Sequence, residues 1–358
     1  MTRYAEKILN ALEPAVAAID VHTIKPLPVD RWLGLSCLQK SIRRNLVKEA
    51  QRAALTVWLE DKQAFWRRIS LICLEDCGVA AVDVVVQTLK AFNAPAWRAQ
   101  NDDLKVALYL VERLCTAPKI RLCDEIYILA GSAPEYRDYR YSLVSKNDNA
   151  LSSIVLNDRL SLPKRAIALW LLAGYRGDHM PERIGSLDAA TEALCALKAS
   201  RPLTEACIAM LRKSRYPLAL LTPLLCTQVQ RQEDGVLTHD EFLKTPIVSG
   251  IPLAALDGFT RIGKSCFSEM RSAIPELKGF SIGQVSLAVF YAEGKHLDKR
   301  FTSKWLEECQ QVGEFADIEA NGLCIPSYLP LRETIANNLP LLNDIRQKQL
   351  KAILREAA

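Results

Sequence analysis

The spacing of apolar positions predicts helices along almost the entire chain. Between residues 40 and 73 apolar side chains recur at intervals close to the 3.6-residue turn of an α-helix, leaving the opposite face polar. Residues 79–92 are rich in Val and could form a strand, but no partner strand is evident, so we expect a helix there. The fold class that we predict is all-α. The apolar positions of the first two helices are Ile42, Leu46, Ala50, Ala53 and Val57, then Phe65, Trp66, Ile69, Ile72 and Cys73.

Capping residues and prolines predict where many helices begin. We expect helix starts at Asp30, Asn101-Asp102-Asp103, Pro163, Ser186, Pro202 and Pro217, and a capping box at Thr238-His239-Asp240-Glu241. Further helices are predicted over 1–20, 252–272, 281–293, 302–319 and 330–356, the last broken near Pro340. The predicted domains are an N-terminal helix and connector (1–30), a helical module (31–131), a polar linker (132–150) and a larger irregular helical domain (151–358).

Positive charge is concentrated in residues 40–68. This stretch holds eight Lys or Arg and three Asp or Glu, an excess of five that equals the formal net charge of +5 of the whole chain. In one continuous helix, Lys40, Arg44, Lys48 and Arg52 would form an i,i+4 ladder of like charges, which an anionic partner such as a phosphate backbone would relieve. The alternative is a solvated face whose charges are met by acids such as Glu75 and Asp76.

Two groups of short motifs carry a family resemblance. The first is Lys40-Ser41-Ile42-Arg43, Ala53-Ala54-Leu55 with Trp58, Arg67-Arg68 and Glu75-Asp76-Cys77-Gly78; the second is Leu108-Tyr109-Leu110, Ala117-Pro118-Lys119 and Tyr127. In this order and spacing they resemble the C-terminal helical region of the MgsA/RarA replication-associated AAA+ ATPases, relatives of the clamp loaders. The resemblance covers about residues 33–131.

The resemblance implies a clamp-loader-collar-like module that oligomerises and associates with DNA. It does not imply ATP hydrolysis, because only about 30 residues precede the module where those ATPases carry their Walker-bearing domain. A further departure is that Lys119 is followed by Ile120, where the family pattern has Ser. In that family Glu75-Asp76 would belong to the helical scaffold, and we expect Arg67 and Arg68 to be its ion-pair partners.

Residues 258–265 match the P-loop pattern G-x-x-x-x-G-K-[ST], with Gly258, Gly263, Lys264 and Ser265 at the fixed positions. A P-loop needs a preceding strand and a parallel sheet, whereas the sequence around this segment predicts helices. We therefore expect a turn and helix start capped by Asp257 or Thr260, with Arg261 and Lys264 exposed. A phosphate of DNA or RNA bound by that basic turn, and a true nucleotide site, remain alternatives.

Other chemistry is sparse. The eleven Cys form no CxxC pair and mostly lie on apolar stripes, which is typical of free thiols in a reducing cytosol, and we expect no metal site and no cofactor. His22, His179, His239 and His296 have no catalytic partner at motif spacing. Tyr136, Arg137, Tyr139, Arg140 and Tyr141 are a second candidate for nucleic-acid contact, or else an ordinary aromatic linker. With no signal peptide and no apolar run long enough to span a bilayer, we expect a cytoplasmic protein.

The leading hypothesis is a non-enzymatic, nucleic-acid-associated accessory protein that forms a homo-oligomer through the collar-like helices. The predicted nucleic-acid contacts are Lys40, Arg43, Arg44, Lys48, Arg52, Arg67, Arg68, Arg261 and Lys264. A second hypothesis is an adaptor, carried by a mobile element, that engages a host replication or defence ATPase. A third is a nucleotide-binding enzyme using Gly258 to Ser265.

Overall fold

The computed structural model describes residues 3–175, 180–214, 216–229, 234–240 and 246–356. Helices dominate these ranges, and the predicted all-α fold class is confirmed. The helices are α1 (Arg3–Asn10), α2 (Glu13–Ala17), α3 (Arg31–Arg43), α4 (Val47–Glu60), α5 (Lys62–Ile72), α6 (Val82–Asn93), α7 (Pro95–Gln100), α8 (Asp103–Thr116), α9 (Leu122–Ser132), α10 (Arg137–Ser142), α11 (Asp148–Leu156), α12 (Leu162–Ala173), α13 (Leu187–Ala196), α14 (Arg201–Ser214), α15 (Pro217–Val229), α16 (Arg261–Ala273), α17 (Ile282–Val289), α18 (Lys304–Ala320), α19 (Ile325–Asn337) and α20 (Leu339–Glu356).

Extended structure is minor. Strands β1 (Val236–Thr238) and β4 (Arg300–Thr302) form one antiparallel pair, and β2 (Ile247–Val248) and β3 (Ile251–Pro252) form another. Two single turns have π-helical geometry, Cys73–Cys77 directly after α5 and Phe290–Gly294 directly after α17.

The expected continuous helix through residues 40–57 is wrong, because the chain reverses at Asn45. The N–H of Asn45 donates to Ile42 O at 3.3 Å and that of Leu46 donates to Ser41 O at 2.9 Å, the two bonds of a Schellman motif. Asn45 has φ 54°, a left-handed conformation that Asn tolerates better than most residues. Helix α3 therefore ends at Arg43, α4 begins at Val47, and the two pack against each other.

Several predicted helix starts are confirmed by capping hydrogen bonds. Asp30 accepts from Leu33 N at 2.8 Å, Asp102 accepts from Leu104 N at 3.1 Å, and Ser186 accepts from Ala189 N at 3.1 Å. The Val-rich segment forms α6, as predicted, and prolines open α12 and α15.

Other boundaries differ from the prediction. Residues 3–17 form two short helices instead of one, and residues 252–260 form the end of β3, a 3₁₀ turn and a loop before α16. The break predicted near Pro340 is confirmed, because α19 ends at Asn337 and α20 begins at Leu339, but α19 begins earlier than predicted, at Ile325. Thr238 ends β1, and Glu241, its predicted capping-box partner, lies outside the described residues.

One hydrophobic core runs through the parts of the chain that the predicted boundary at 132–150 would separate. Helix α9 packs against α12, α15 and α18, and α3 packs against β3. The predicted linker contains α10, whose Arg140 is 3% exposed and donates to the carbonyls of Ala130 and Ala133, each at 3.1 Å. The domain boundaries stay a prediction, but these segments are in close contact.

Within the described ranges, every helix is too short or too polar to cross a bilayer.

Candidate functional site

The basic ladder predicted from the sequence does not exist as a surface. Lys40, Arg43 and Arg44 are only 4%, 1% and 4% exposed, because the turn at Asn45 folds the end of α3 into the interior. Their assignment as surface phosphate contacts is wrong for this geometry. Arg52, on α4, donates to Lys25 O at 3.0 Å. Lys48 is exposed.

Arg43 belongs to a buried ion network around Asp76, which is fully buried in the π turn after α5. Asp76 Oδ1 accepts from Arg43 Nε and from Arg121 Nη1, both at 2.8 Å, and Oδ2 accepts from Gln39 Nε2 at 3.1 Å. Glu75 Oε1 accepts from Arg43 Nη2 at 2.8 Å and from Arg121 Nη1 at 3.0 Å. Burial opposes ionisation of Asp76, but the two guanidinium groups outweigh it and hold its pKa below the ordinary value.

This network corrects the predicted ion-pair partners of Glu75 and Asp76 and explains the presence of this acidic pair in the sequence. The ion-pair partners of Glu75 and Asp76 are Arg43 and Arg121. Of the expected partners, Arg68 donates instead to Gln39 Oε1 at 3.4 Å, and Arg67 lines a different cavity. The structural role predicted for the acidic pair agrees with its burial.

A second buried ion pair joins the end of the chain to the second π turn. Arg346 on α20 donates from Nη1 to Glu293 Oε2 at 2.8 Å, and Arg44 donates from Nη2 to Glu293 O at 2.9 Å. Burial raises the pKa of Glu293, but Arg346 and Arg44 outweigh it, so the net shift is downward. Both π turns thus carry a buried carboxylate held by arginines.

A cavity of about 630 Å³ lies beside these networks, and we call it the central cleft. Both π turns contribute to its wall, through Glu75 on one side and Phe290, Glu293 and Gly294 on the other. Single π turns inside helical segments are frequently found at functional sites. Its lining includes Trp32, Lys40, Arg68, Asp257, Phe259 and Arg346.

Two groups in the central cleft have strongly shifted pKa values. Lys40 Nζ lies 3.2 Å from Asp257 Oδ2, which also accepts from Ser36 Oγ at 2.9 Å. Burial lowers the pKa of Lys40 to about 8, although Asp257 counteracts part of that effect. Burial also raises the pKa of Asp124 to about 6, despite the neighbouring Arg121.

A second cavity, of about 640 Å³, lies between α5, α7 and α14, and we call it the basic groove. It is lined by four cationic side chains and one carboxylate, together with three aromatic rings. Arg67 and Lys62 are exposed at its edge. The charged residues are Lys62, Arg67, Arg98, Lys213 and Asp103, and the aromatic ones are Trp66, Phe92 and Tyr216.

Cations in the basic groove lie over aromatic faces. Arg98 Cζ is 4.0 Å from the centroid of the Trp66 ring and Lys213 Nζ is 4.6 Å from that of Phe92. Arg98 also pairs with Asp103 at 2.9 Å. The buried Nε1 of Trp66 has no hydrogen-bond partner among the described residues. Burial lowers the pKa of Lys213, with Arg98 adding to the effect.

The P-loop-like segment forms a turn and a helix start, as expected. Thr260 caps α16 by accepting from Gly263 N at 3.0 Å, which places Arg261, Lys264 and Ser265 on the exposed face of the first turn. The preceding strand, β3, pairs with β2 in antiparallel fashion, and both sheets among the described residues are antiparallel pairs, so the parallel sheet that a P-loop needs is missing there. The alternative nucleotide site at Gly258, Gly263, Lys264 and Ser265 is therefore wrong as a P-loop, although Gly258 lines the central cleft.

The remaining candidates from the sequence are the histidines and cysteines. His296 is partly buried, and burial lowers its pKa to about 4. His239 Nδ1 contacts Asp298, and His179 lies outside the described residues. Most Cys side chains are buried free thiols, as expected from the apolar stripes. No cluster of His, Cys, Asp or Glu in the part of the chain that the structure describes could hold a metal ion.

No family model, curated protein or solved structure matches the chain. The resemblance of residues 33–131 to the MgsA/RarA collar region stays a prediction.

Four cationic groups that complete the two cavities could not be assigned to them from the sequence. Arg98, Arg121, Lys213 and Arg346 were not singled out, because each meets its partners through folding. Local signals existed for Arg121, which lies one turn before Asp124, and for Lys213, which lies in the basic run Arg212-Lys213-Ser214-Arg215.

Proposed function

We propose that the protein is a nucleic-acid-associated binding protein whose phosphate contacts lie in the basic groove. The single observation that carries the proposal is the grouping of Lys62, Arg67, Arg98 and Lys213 around three aromatic rings with one carboxylate. Nucleic-acid binding sites combine cations for the phosphate backbone with aromatic faces for the bases. Arg67 was predicted to make such contacts, and the groove gives it three cationic neighbours.

The groove favours a single strand over a rigid duplex. It is a recess formed by side chains of five helices, and Tyr216 is the half-buried ring at its wall on which an unpaired base could stack. Trp66 and Phe92 are covered by Arg98 and Lys213, so they position those cations.

Self-association through the helices of residues 31–131 belongs to the same proposal. It rests on the family resemblance alone, as does the choice of DNA as the nucleic acid.

The test compares two charge-reversal variants in a single-strand binding titration at several salt concentrations. Lys62→Glu/Arg67→Glu changes two exposed cations of the groove, and Lys48→Glu/Lys264→Glu makes the same charge change at two exposed cations outside it. We expect the groove variant to lose affinity and to flatten the dependence of log K on log salt by about 0.7 for each phosphate that it no longer binds. We expect the matched control to behave much like the wild type.

Equal losses of affinity in both variants would mean that net charge, and not the groove, attracts the strand. Unchanged binding in the groove variant would overturn the proposal directly. Replacing Tyr216 with Leu separates stacking from charge, because it should lower affinity without changing the salt dependence.

A further inference from the structure

The central cleft has an exposed aromatic rim, and Arg31 Cζ lies 5.0 Å from the centroid of one of its rings, that of Trp32. Phe259 is 86% exposed and Trp32 is 62% exposed, and both side chains line the cleft. Phe259 is held in place by its own N–H, which donates to Asp257 Oδ1 at 3.0 Å. Large apolar side chains that remain in water at the mouth of a recess are typical of a binding site for a flat apolar group.

The interior of the central cleft contains hydrogen-bond donors that could accommodate a further acceptor. Arg346 is fully buried, and its Nη2 has no partner in the part of the chain that the structure describes. Lys40 has three N–H donors on Nζ, and its ion pair within the same ranges is with Asp257. Arg68 reaches the Gln39 Oε1 at 3.4 Å, which is a long hydrogen bond.

The carboxylates of the same cleft are already engaged. Glu75 accepts from Arg43 and Arg121, and Glu293 accepts from Arg346. Asp317 accepts from Tyr291 Oη at 2.7 Å, while Asp124 pairs with Arg121 and Asp257 pairs with Lys40. The groups in the cleft that can still form hydrogen bonds are therefore cationic donors, which favour an anionic ligand.

From this geometry we infer that the central cleft binds a nucleoside monophosphate, with the base on Trp32 and Phe259 and the phosphate on Arg68, Lys40 and Arg346. A volume of about 630 Å³ lies within the range of small-molecule sites. Lys264 and Ser265 of the P-loop-like pattern take no part, because they lie on the exposed face of α16. The inference does not depend on the basic groove, which shares none of these residues.

The first experiment measures binding of AMP, GMP and CMP to the full chain by isothermal titration calorimetry. Adenosine, inorganic phosphate and 4-hydroxybenzoate test the base, the anion and an aromatic carboxylate separately. We expect a nucleotide to bind at least about tenfold more tightly than adenosine or phosphate, because only the nucleotide uses the rim and the donors together. Tighter binding of the aromatic carboxylate than of any nucleotide would overturn the inferred ligand class.

The second experiment places the ligand with variants that leave the core intact. Phe259→Ala should weaken nucleotide binding about tenfold, whereas Ile184→Ala, which removes a 95% exposed apolar side chain elsewhere, should not. Arg68→Gln should remove most of the preference for nucleotide over nucleoside, and its matched control is Arg159→Gln, an exposed change outside both cavities.

Three results overturn the inference: no binding of any nucleotide at millimolar concentration, binding that survives both cleft variants, or equal losses of affinity in the control variants. The groove variant Lys62→Glu/Arg67→Glu is measured with nucleotide as well, so that binding of a nucleotide in the basic groove is distinguished from binding in the central cleft. Failure of the proposed function would leave the nucleotide result unchanged, and the reverse also holds.

Discussion

At the residue scale, the most basic stretch of the chain supplies buried ion pairs. Arg43 is 1% exposed and reaches Glu75, Asp76 and Gly294 O. A buried guanidinium is tolerated only when its donors are satisfied, and here carboxylates and a carbonyl satisfy them. Positive charge in the sequence therefore does not by itself locate a surface for an anionic partner.

Glu125 gives the clearest prediction at this scale. It lies buried on α9, and burial raises its pKa to about 8, with Asp124 and Glu314 raising it further and Arg121 and Lys295 lowering it. This raised pKa means that the folded state favours the protonated form of the Glu125 carboxyl group. The contribution of protonated Glu125 to the free energy of unfolding is therefore fully present at acidic pH, below the ordinary pKa of 4.5. It is lost as the pH rises toward 8.

We expect Glu125→Gln to be more stable than the wild type at pH 8.5 and close to it at pH 4.5. Urea unfolding of both proteins across this range measures the difference, and Glu319→Gln, an exposed change on α18, serves as the control. A difference that does not vary with pH, or one that grows toward acid, would contradict the assignment.

At the element scale, Asn45 decides the course of α3 and α4. Its φ of 54° closes the Schellman motif that turns the chain back. We expect Asn45→Ala to lower the free energy of unfolding by about 1 kcal/mol, because a side chain with a Cβ and no local hydrogen bonding is strained there. Asn45→Gly should be close to neutral, since Gly adopts this conformation freely.

Urea unfolding of the two variants checks the prediction, each being the control for the other. If Asn45→Gly lowers the free energy of unfolding as much as Asn45→Ala does, then the side-chain contacts of Asn45, and not its backbone conformation, account for the effect.

The sequence predicted many elements because the signals that start a helix are local. Asp30, Asp102 and Ser186 cap helices within three residues of themselves. The break at Asn45 was missed because Ile42, Leu46 and Ala50 keep a helical spacing across it. The apolar pattern is the same whether the chain continues or turns back.

The candidate sites were less predictable than the elements, because their partners are far apart in the sequence. Asp76 and its partner Arg43 are 33 positions apart in the sequence, and Arg346 and its partner Glu293 are 53 positions apart. Arg67 and Gly258 were singled out and do line cavities, but the residues that complete each cavity come from helices with no shared motif.

At the scale of the whole molecule, the helices before and after residue 150 are interdependent. Asp298 N donates to Arg43 O at 2.8 Å, Phe301 N donates to Lys119 O at 2.8 Å, and Lys40 pairs with Asp257. The collar-like helices thus share both their core and their buried charges with the rest of the chain.

We therefore expect a fragment of residues 1–150 to lack a cooperative unfolding transition of its own. Without the later helices α9 can no longer pack against α12, α15 and α18, and Lys40, Arg43 and Arg44 are deprived of the acceptors Asp257, Gly294 O and Glu293 O. Removing one partner of a buried ion pair typically costs about 3–5 kcal/mol, and several partners are removed here.

Circular dichroism and urea unfolding of the fragment and the full chain measure this directly. The fragment should keep helical signal but unfold gradually, whereas the full chain should give a steep transition that includes α3 and α9. Adding the separately produced fragment of residues 151–358 tests the cause, because restored cooperativity would show that the missing contacts were responsible. A steep transition of the first fragment near the midpoint of the full chain would instead establish residues 31–131 as an autonomous module, as their family resemblance implies.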